Sequence, residues 1–156
     1  AVGDPCEFGL VALANYSQKV TYGQVLKYDV SGAIGGGVGS KRRWVLGKVL
    51  WNPDTNITGT ANGTEVLIGA AAASESLHLA IALWEFVGAG SITVRVESDT
   101  TGFPSATVQK TFTALTAIGS EMPEPIAGAI TDTYYRAAIS AFTLTSAKMI
   151  VVAGIR

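Results

Sequence analysis

The chain has 156 residues, of which 48% are apolar and 15% are charged, with 11 Lys and Arg against 12 Asp and Glu. This length favours a single domain. The near-zero charge balance argues against a dedicated nucleic-acid-binding protein, which usually carries a basic excess. The sequence contains no run of about 18 strongly apolar residues, so we expect no membrane-spanning segment. The low charge content predicts a surface that is partly covered by other chains.

The N-terminal residues 1–7, which include Gly3 and Pro5, are predicted to form an extended arm, and residues 8–156 to form one domain. Cys6 is the only cysteine, which excludes an intrachain disulfide. A catalytic thiol needs a partner such as histidine, and the only one, His78, is distant in sequence. We therefore expect Cys6 to be an inert or partly exposed thiol.

Apolar and polar residues alternate in several segments, which is the pattern of a half-buried β-strand. In residues 91–98, Ile92, Val94 and Val96 fall on one predicted face. Residues 77–86 also alternate, but small and apolar residues on the second face predict that both faces are covered. The same pattern marks residues 106–115, 133–142 and 147–156, and it is less regular in residues 19–30 and 42–51.

Turn-forming stretches such as NPDTN, GTANGT, SDTTGFPS and PEPIAGAITD separate these segments. Several short strands at this spacing predict an all-β domain, namely an antiparallel β-sandwich or jelly roll. Within residues 64–79, four consecutive alanines favour a helix. Gly69 interrupts that pattern, and the leucine alternation from Leu77 favours a strand. We expect at most one short helix there.

The stretch SGAIGGGVGSKRR, residues 31–43, contains five glycines followed by three cations. A phosphate-binding loop places its lysine directly after the last glycine and then begins a helix. Here Ser40 intervenes, and a strand-like segment follows. We instead expect residues 32–41 to be a loop that orders against a neighbouring chain. The adjacent cations either face solvent or contact an acidic patch on a partner: Lys41, Arg42 and Arg43.

The segment DTNITGTANGTE has the spacing of a calcium-binding loop. Its oxygen-bearing positions would be Asp54, Asn56, Thr58 and, at position twelve, Glu65. The flanking helices of such a loop are not predicted, because Asn52-Pro53 disfavours a helix entering it. An ordinary loop without metal is the stronger expectation, and we predict no cofactor.

Candidate catalytic and sugar-binding residues are sparse. Glu121 and Glu124 form only a weak carboxylate pair for glycoside hydrolysis. A single histidine and no nucleophile-elbow motif leave no Ser-His-Asp arrangement to argue. Tyr134 and Tyr135, together with the tryptophans, have the composition of a sugar platform, but packing in the core or at a subunit interface is the stronger expectation. We predict that the chain is not an enzyme.

Three stretches resemble small virion proteins of tailed bacteriophages. They are ITVRVESDTTGFPSATVQKTFTALTAIGSE, then AGAITDTYYRAAIS, then the final VVAGIR, with KYDVSGAIG near residue 27 as a further similar stretch. The resemblance mainly covers residues 75–156. It implies a β-sandwich component of the phage particle, either a decoration (cement) protein or a tail-associated protein, and it transfers no catalytic residues.

From this resemblance we expect a capsid decoration protein of the virion, assembled in the host cytoplasm. It would form a homotrimer at local threefold positions and bridge subunits of the major capsid protein. The alternatives are a tail, neck or fibre-base component, and a carbohydrate-binding jelly-roll module on the particle surface. The predicted partner-binding residues are Lys41, Arg42, Arg43, Pro5, Tyr134 and Tyr135.

Overall fold

The computed structural model describes residues 1–8 and 45–156, which form two antiparallel β-sheets packed against each other. The strands, in chain order, are β1 (Pro5–Phe8), β2 (Val45–Trp51), β3 (Ala61–Asn62), β4 (Val66–Leu67), β5 (Ser76–Val87), β6 (Ile92–Asp99), β7 (Thr107–Thr111), β8 (Gly119–Glu121), β9 (Ile126–Ala127), β10 (Tyr134–Phe142) and β11 (Ser146–Ile155). The predicted all-β antiparallel sandwich is confirmed.

Sheet A has the strand order β1-β2-β11-β5-β8, and β9 pairs with β5 beside β8. Sheet B has the order β3-β10-β6-β7, and β4 pairs with β10 beside β3. Within the described residues, the chain crosses from one sheet to the other six times, after β2, β4, β5, β7, β9 and β10. This arrangement buries one face of each central strand between the sheets.

The core between the sheets is built by alternate residues of the four long strands. It includes Leu77, Leu79, Ile81 and Leu83 from β5, Ile92, Val94 and Val96 from β6, Tyr135, Ala137 and Ile139 from β10, and Met149, Val151 and Ala153 from β11. A fully buried side chain of leucine or valine size stabilises the fold by about 1.5–3 kcal/mol. The burial of these alternating apolar side chains is therefore the main contribution to the stability of the fold.

The strand predictions for β5, β6, β10 and β11 are confirmed to within one or two residues at each end. The prediction for residues 106–115 is too long, because β7 ends at Thr111. Beyond it, Phe112 is buried in the core, and the amide of Thr113 donates to the Glu121 carboxylate at 2.8 Å. The predicted segment 19–30 lies outside the described residues.

The helix allowed within residues 64–79 does not form. This stretch contains β4, an isolated bridge at Ala71 and the start of β5. Ala71 and Ile130 exchange two backbone hydrogen bonds of 2.9 Å each. Gly69 has a φ of +112°. Pairing with a distant segment thus outweighs the helix propensity of the alanines, which amounts to less than about 1 kcal/mol per residue.

The N-terminal segment that the sequence predicts as an extended arm is paired with sheet A. Pro5 pairs with Lys48 and Phe8 with Val45, and the amide of Gly3 donates to the carbonyl of Val49 at 2.8 Å. Proline, which has no amide hydrogen to donate, is tolerated at the first position of a strand.

Cys6 lies within β1 and is partly buried. Burial raises the pKa of its thiol above the ordinary value of 9.0. A raised pKa keeps the thiol protonated near neutral pH, and a protonated thiol is a weak nucleophile.

Two turns lie side by side at one end of the sandwich, residues 88–91 between β5 and β6 and residues 143–145 between β10 and β11. The Ser91 amide donates to Thr143 Oγ1 at 2.8 Å, and the Thr143 amide donates to the Ser91 carbonyl at 3.0 Å. Gly90 has a φ of +140°, and a Cβ atom there would collide with Thr143. Only glycine fits this position without strain.

We predict that Gly90→Ala lowers the free energy of unfolding by about 1–3 kcal/mol, because it adds both backbone strain and a steric collision. Gly59→Ala is the matched control, since a Cβ at Gly59 meets nothing within 4 Å. Its effect should stay within about 0.5 kcal/mol. Urea unfolding of both variants measures the difference, and equal stabilities would contradict the described turn packing.

Candidate functional site

A cluster of charged residues lies on the outer face of sheet B, where β6 pairs with β10. We call it the polar cluster and define it by Arg95, Glu97 and Arg136. Glu97 is only 2% exposed, although it lies on the face opposite Val94 and Val96. Arg136 donates to Glu97 Oε2 from Nε at 2.8 Å, and its Nη2 lies 2.8 Å from the same oxygen. Arg95 Nε forms an ion pair with Oε1 at 2.6 Å. Each carboxylate oxygen of Glu97 therefore lies beside a guanidinium group.

The side chain of Arg136 also lies over the ring of Phe103, with its Cζ 4.3 Å from the ring centroid. This is a favourable cation–π distance. Phe103 belongs to the turn between β6 and β7 and has a φ of +48°. A bulky residue rarely adopts this conformation, so its surroundings must hold it there. The arginine thus joins the buried carboxylate to a strained turn.

Asp99, at the end of β6, organises the same turn. Its carboxylate accepts hydrogen bonds from the Ser105 amide at 2.6 Å and the Thr100 amide at 2.7 Å. Burial acts to raise the pKa of Asp99, but these hydrogen bonds and the charge of Arg136 outweigh it and hold the pKa below 3.8. On the other side of the turn, the Gly102 amide donates to Glu65 Oε2 at 2.7 Å.

A second group of hydrogen bonds joins β6, β7 and the loop before β10. Ser98 donates to Asp132 Oδ2 at 2.6 Å, and Gln109 Nε2 donates to Ser98 Oγ at 2.7 Å. The Tyr135 hydroxyl donates to the Asp132 carbonyl at 3.3 Å. Burial and the nearby Asp132 carboxylate raise the pKa of Tyr135 to about 12. These contacts fix the loop relative to sheet B.

These contacts fix the conformation of the turn between β6 and β7 and of the loop before β10. The acidic groups of Glu97, Asp99 and Asp132 are bound by neighbouring donors of the same chain. Within residues 1–8 and 45–156, no group of three His, Cys, Asp or Glu side chains is placed to hold a metal ion. In the same ranges there is no helix with the length and hydropathy needed to cross a membrane.

The structure separates the residues predicted to bind partners. Pro5 is exposed in β1, and Tyr134 is half-buried on the outer face of sheet B. Tyr135 is completely buried in the core, so its side chain offers no surface to a partner. The strand period explains this difference, because adjacent residues point to opposite faces. Residues 32–43, which include the basic cluster, lie outside the described part of the chain.

The segment with calcium-loop spacing is a loop anchored to sheet A. Asp54, Asn56 and Thr58 are exposed. Between them, Ile57 is 3% exposed and exchanges two backbone hydrogen bonds with Ala147, of 2.9 and 3.0 Å. The last predicted ligand, Glu65, accepts the hydrogen bond from Gly102. The segment thus consists of a loop after β2, the short strand β3, and residues 63–65 before β4.

A second surface feature is apolar and lies at the C-terminal end of β5 in sheet A. We call it the β5 patch and define it by Trp84, Val87 and Ile118, which are 42%, 44% and 64% exposed. The sequence pattern did not identify it, because Trp84 falls in a run predicted to be covered on both faces. A β-bulge opposite Lys148 and Met149, which sequence periodicity does not reveal, changes the pairing at this point.

No family model, curated protein or solved structure matches this chain.

We predict that Arg136→Leu lowers the free energy of unfolding by about 3–5 kcal/mol, because it removes one partner of the buried Glu97 carboxylate. The control is Lys148→Leu, which breaks the half-exposed ion pair between Lys148 and Glu85. That change should cost less than about 1 kcal/mol. Chemical denaturation gives both values, and a small effect of Arg136→Leu would show that Glu97 does not need this partner.

The lowered pKa of Asp99 predicts a pH-dependent contribution to stability. The contribution is fully present well above pH 3.8 and is lost as the pH falls through the lower pKa of the folded protein. Asp99→Asn should therefore lower Tm at pH 7, and the difference from the wild type should narrow below pH 3.8. Asp54→Asn, at an exposed position, is the control. A difference that is constant with pH would contradict the charge-based explanation.

Proposed function

We propose that this chain is a capsid decoration (cement) protein of a tailed bacteriophage. It stabilises the head shell by bridging subunits of the major capsid protein, acts as a homotrimer and resides in the virion. The proposal starts from the resemblance of three stretches to small phage virion proteins.

The observation that carries the proposal is that two of those stretches meet on sheet B, in two neighbouring groups of polar contacts. Glu97, Asp99 and Phe103 belong to the first stretch, and Asp132 and Arg136 belong to the second. They are brought together by the pairing of β6 with β10, in which Glu97 lies opposite Arg136. The resembling residues thus support each other in the fold and determine the shape of a turn at the surface.

A fixed surface turn suits a protein that works by docking. A turn already held in one conformation loses little entropy on binding, so more of the contact energy appears as affinity. A protein that binds the assembled shell and not the free subunits stabilises the shell by mass action. Such a role needs contact area and rigidity, which the sandwich and its polar cluster supply.

The test compares phage particles that carry this chain with particles that lack it. We expect heads without the chain to rupture at lower temperature and to regain resistance when the purified chain is added. Cryo-electron microscopy of the restored particles should show its density on the head at threefold positions.

Other outcomes distinguish the alternatives. Heads of unchanged strength together with failed tail assembly would replace the proposal with a tail, neck or fibre-base role. Specific retention on a glycan array, together with heads of unchanged strength, would favour a carbohydrate-binding module.

A further inference from the structure

We infer that the β5 patch binds the same patch on a second copy of this chain, across a twofold axis. The inference concerns contact between copies and goes beyond the proposed bridging of capsid subunits. It draws on the outer face of sheet A and not on the polar cluster of sheet B.

The first observation is the concentration of exposed apolar side chains at one place. The described residues include six exposed large hydrophobic side chains, and Trp84, Val87 and Ile118 are three of them. Trp84 and Val87 are close together in β5, and Ile118 directly precedes Gly119, the residue that pairs with Leu83. The register therefore places Ile118 beside Trp84. Tryptophan is among the residues most enriched at the energetic hot spots of protein interfaces.

A β-bulge in β5 places Val87 on the same face as Trp84. Met149 pairs with Leu83 and Lys148 pairs with Glu85, so Trp84 is an extra residue without an opposing one in β11. Leu83 points into the core. Trp84 consequently projects from the outer face of sheet A. The extra residue shifts the alternation that follows, so Phe86 packs against the core and the exposed Val87 lies on the outer face with Trp84.

The patch stands on a fixed part of the fold. The carbonyl of Val87 accepts a hydrogen bond from the Thr145 amide at 2.9 Å. Directly beyond Val87, the paired bonds between Ser91 and Thr143 hold the two turns together. A patch supported in this way can bind with little loss of conformational freedom.

The charges beside the patch favour a second copy of this chain as the occupant. The flank of the patch carries one acid and one base, Glu85 and Lys148, whose Oε2 and Nζ atoms lie 2.9 Å apart. Both are about one-third exposed, so both can also reach a partner. A twofold axis brings Glu85 of one copy towards the lysine of the other, and the reverse. A surface with one charge of each sign can therefore face itself without like-charge repulsion, which is the requirement for an isologous contact.

The first experiment is analytical ultracentrifugation of the full chain over a range of concentrations. Ile118→Lys should weaken association between copies at least about tenfold, because it places a cation in each half of the apolar contact. Leu67→Lys is the matched control, since Leu67 is 51% exposed but lies in β4 of sheet B. The control should associate like the wild type, and the unfolding midpoints of all three should agree.

A charge exchange tests the twofold geometry itself. Glu85→Lys alone and Lys148→Glu alone should each associate more weakly than the wild type, because each then faces itself with like charges. An equimolar mixture of the two variants should recover association, since each acid then meets a base on the other chain. The double variant with both changes should behave like the wild type.

Three results would overturn the inference. They are a wild type that shows no association at its solubility limit, an assembly that Ile118→Lys leaves unchanged, and a charge-variant mixture no stronger than its components. If the wild type is a trimer held by another surface, the inference predicts pairs of trimers that Ile118→Lys reduces to single trimers. These readouts use the purified protein alone, so they are independent of whether the chain strengthens a phage head.

Discussion

The sandwich depends on the burial of apolar side chains that only the two sheets together can provide. Strands β5, β6, β10 and β11 each present an apolar face that would be exposed in an isolated sheet. When the two sheets face each other, these side chains are removed from water. This burial stabilises the fold by roughly 25 cal/mol for each square ångström of apolar surface. The short strands β3, β4, β8 and β9 add backbone pairing beside β5 and β10.

The polar cluster on sheet B fixes the shape of a surface turn, but forming the cluster costs desolvation free energy. Burying the Glu97 carboxylate requires desolvation that its two arginine partners must compensate. In return, β6 and β10 are held in one register, and Phe103 is held in a conformation that it would otherwise avoid. The desolvation cost falls beside a surface turn, and the cluster fixes the shape of that turn.

The sequence predicted the long strands and the core well, because alternation of apolar residues reports burial directly. Residues such as Ile92 and Val94 faced the core as expected. The pattern could not show that Glu97 is buried, since its burial depends on Arg136 and Phe103, which only the fold brings near. It could not show the bulge at Trp84 either, because a bulge is a property of the paired strands. The two-residue strands β3, β4 and β9 were also missed, because they too are defined by their pairing with a neighbouring strand.

The β5–β11 pairing has a mechanical consequence. Ten residue pairs join these antiparallel strands in the middle of sheet A, from Ser146 opposite Val87 to Ile155 opposite Leu77. Their hydrogen bonds run perpendicular to the strands. A pull along the strand direction would therefore stretch all of these bonds together in shear, whereas a pull across the sheet would open them one after another. A molecule with this construction resists tension best along one axis, and its orientation on a strained surface would decide how much tension it withstands.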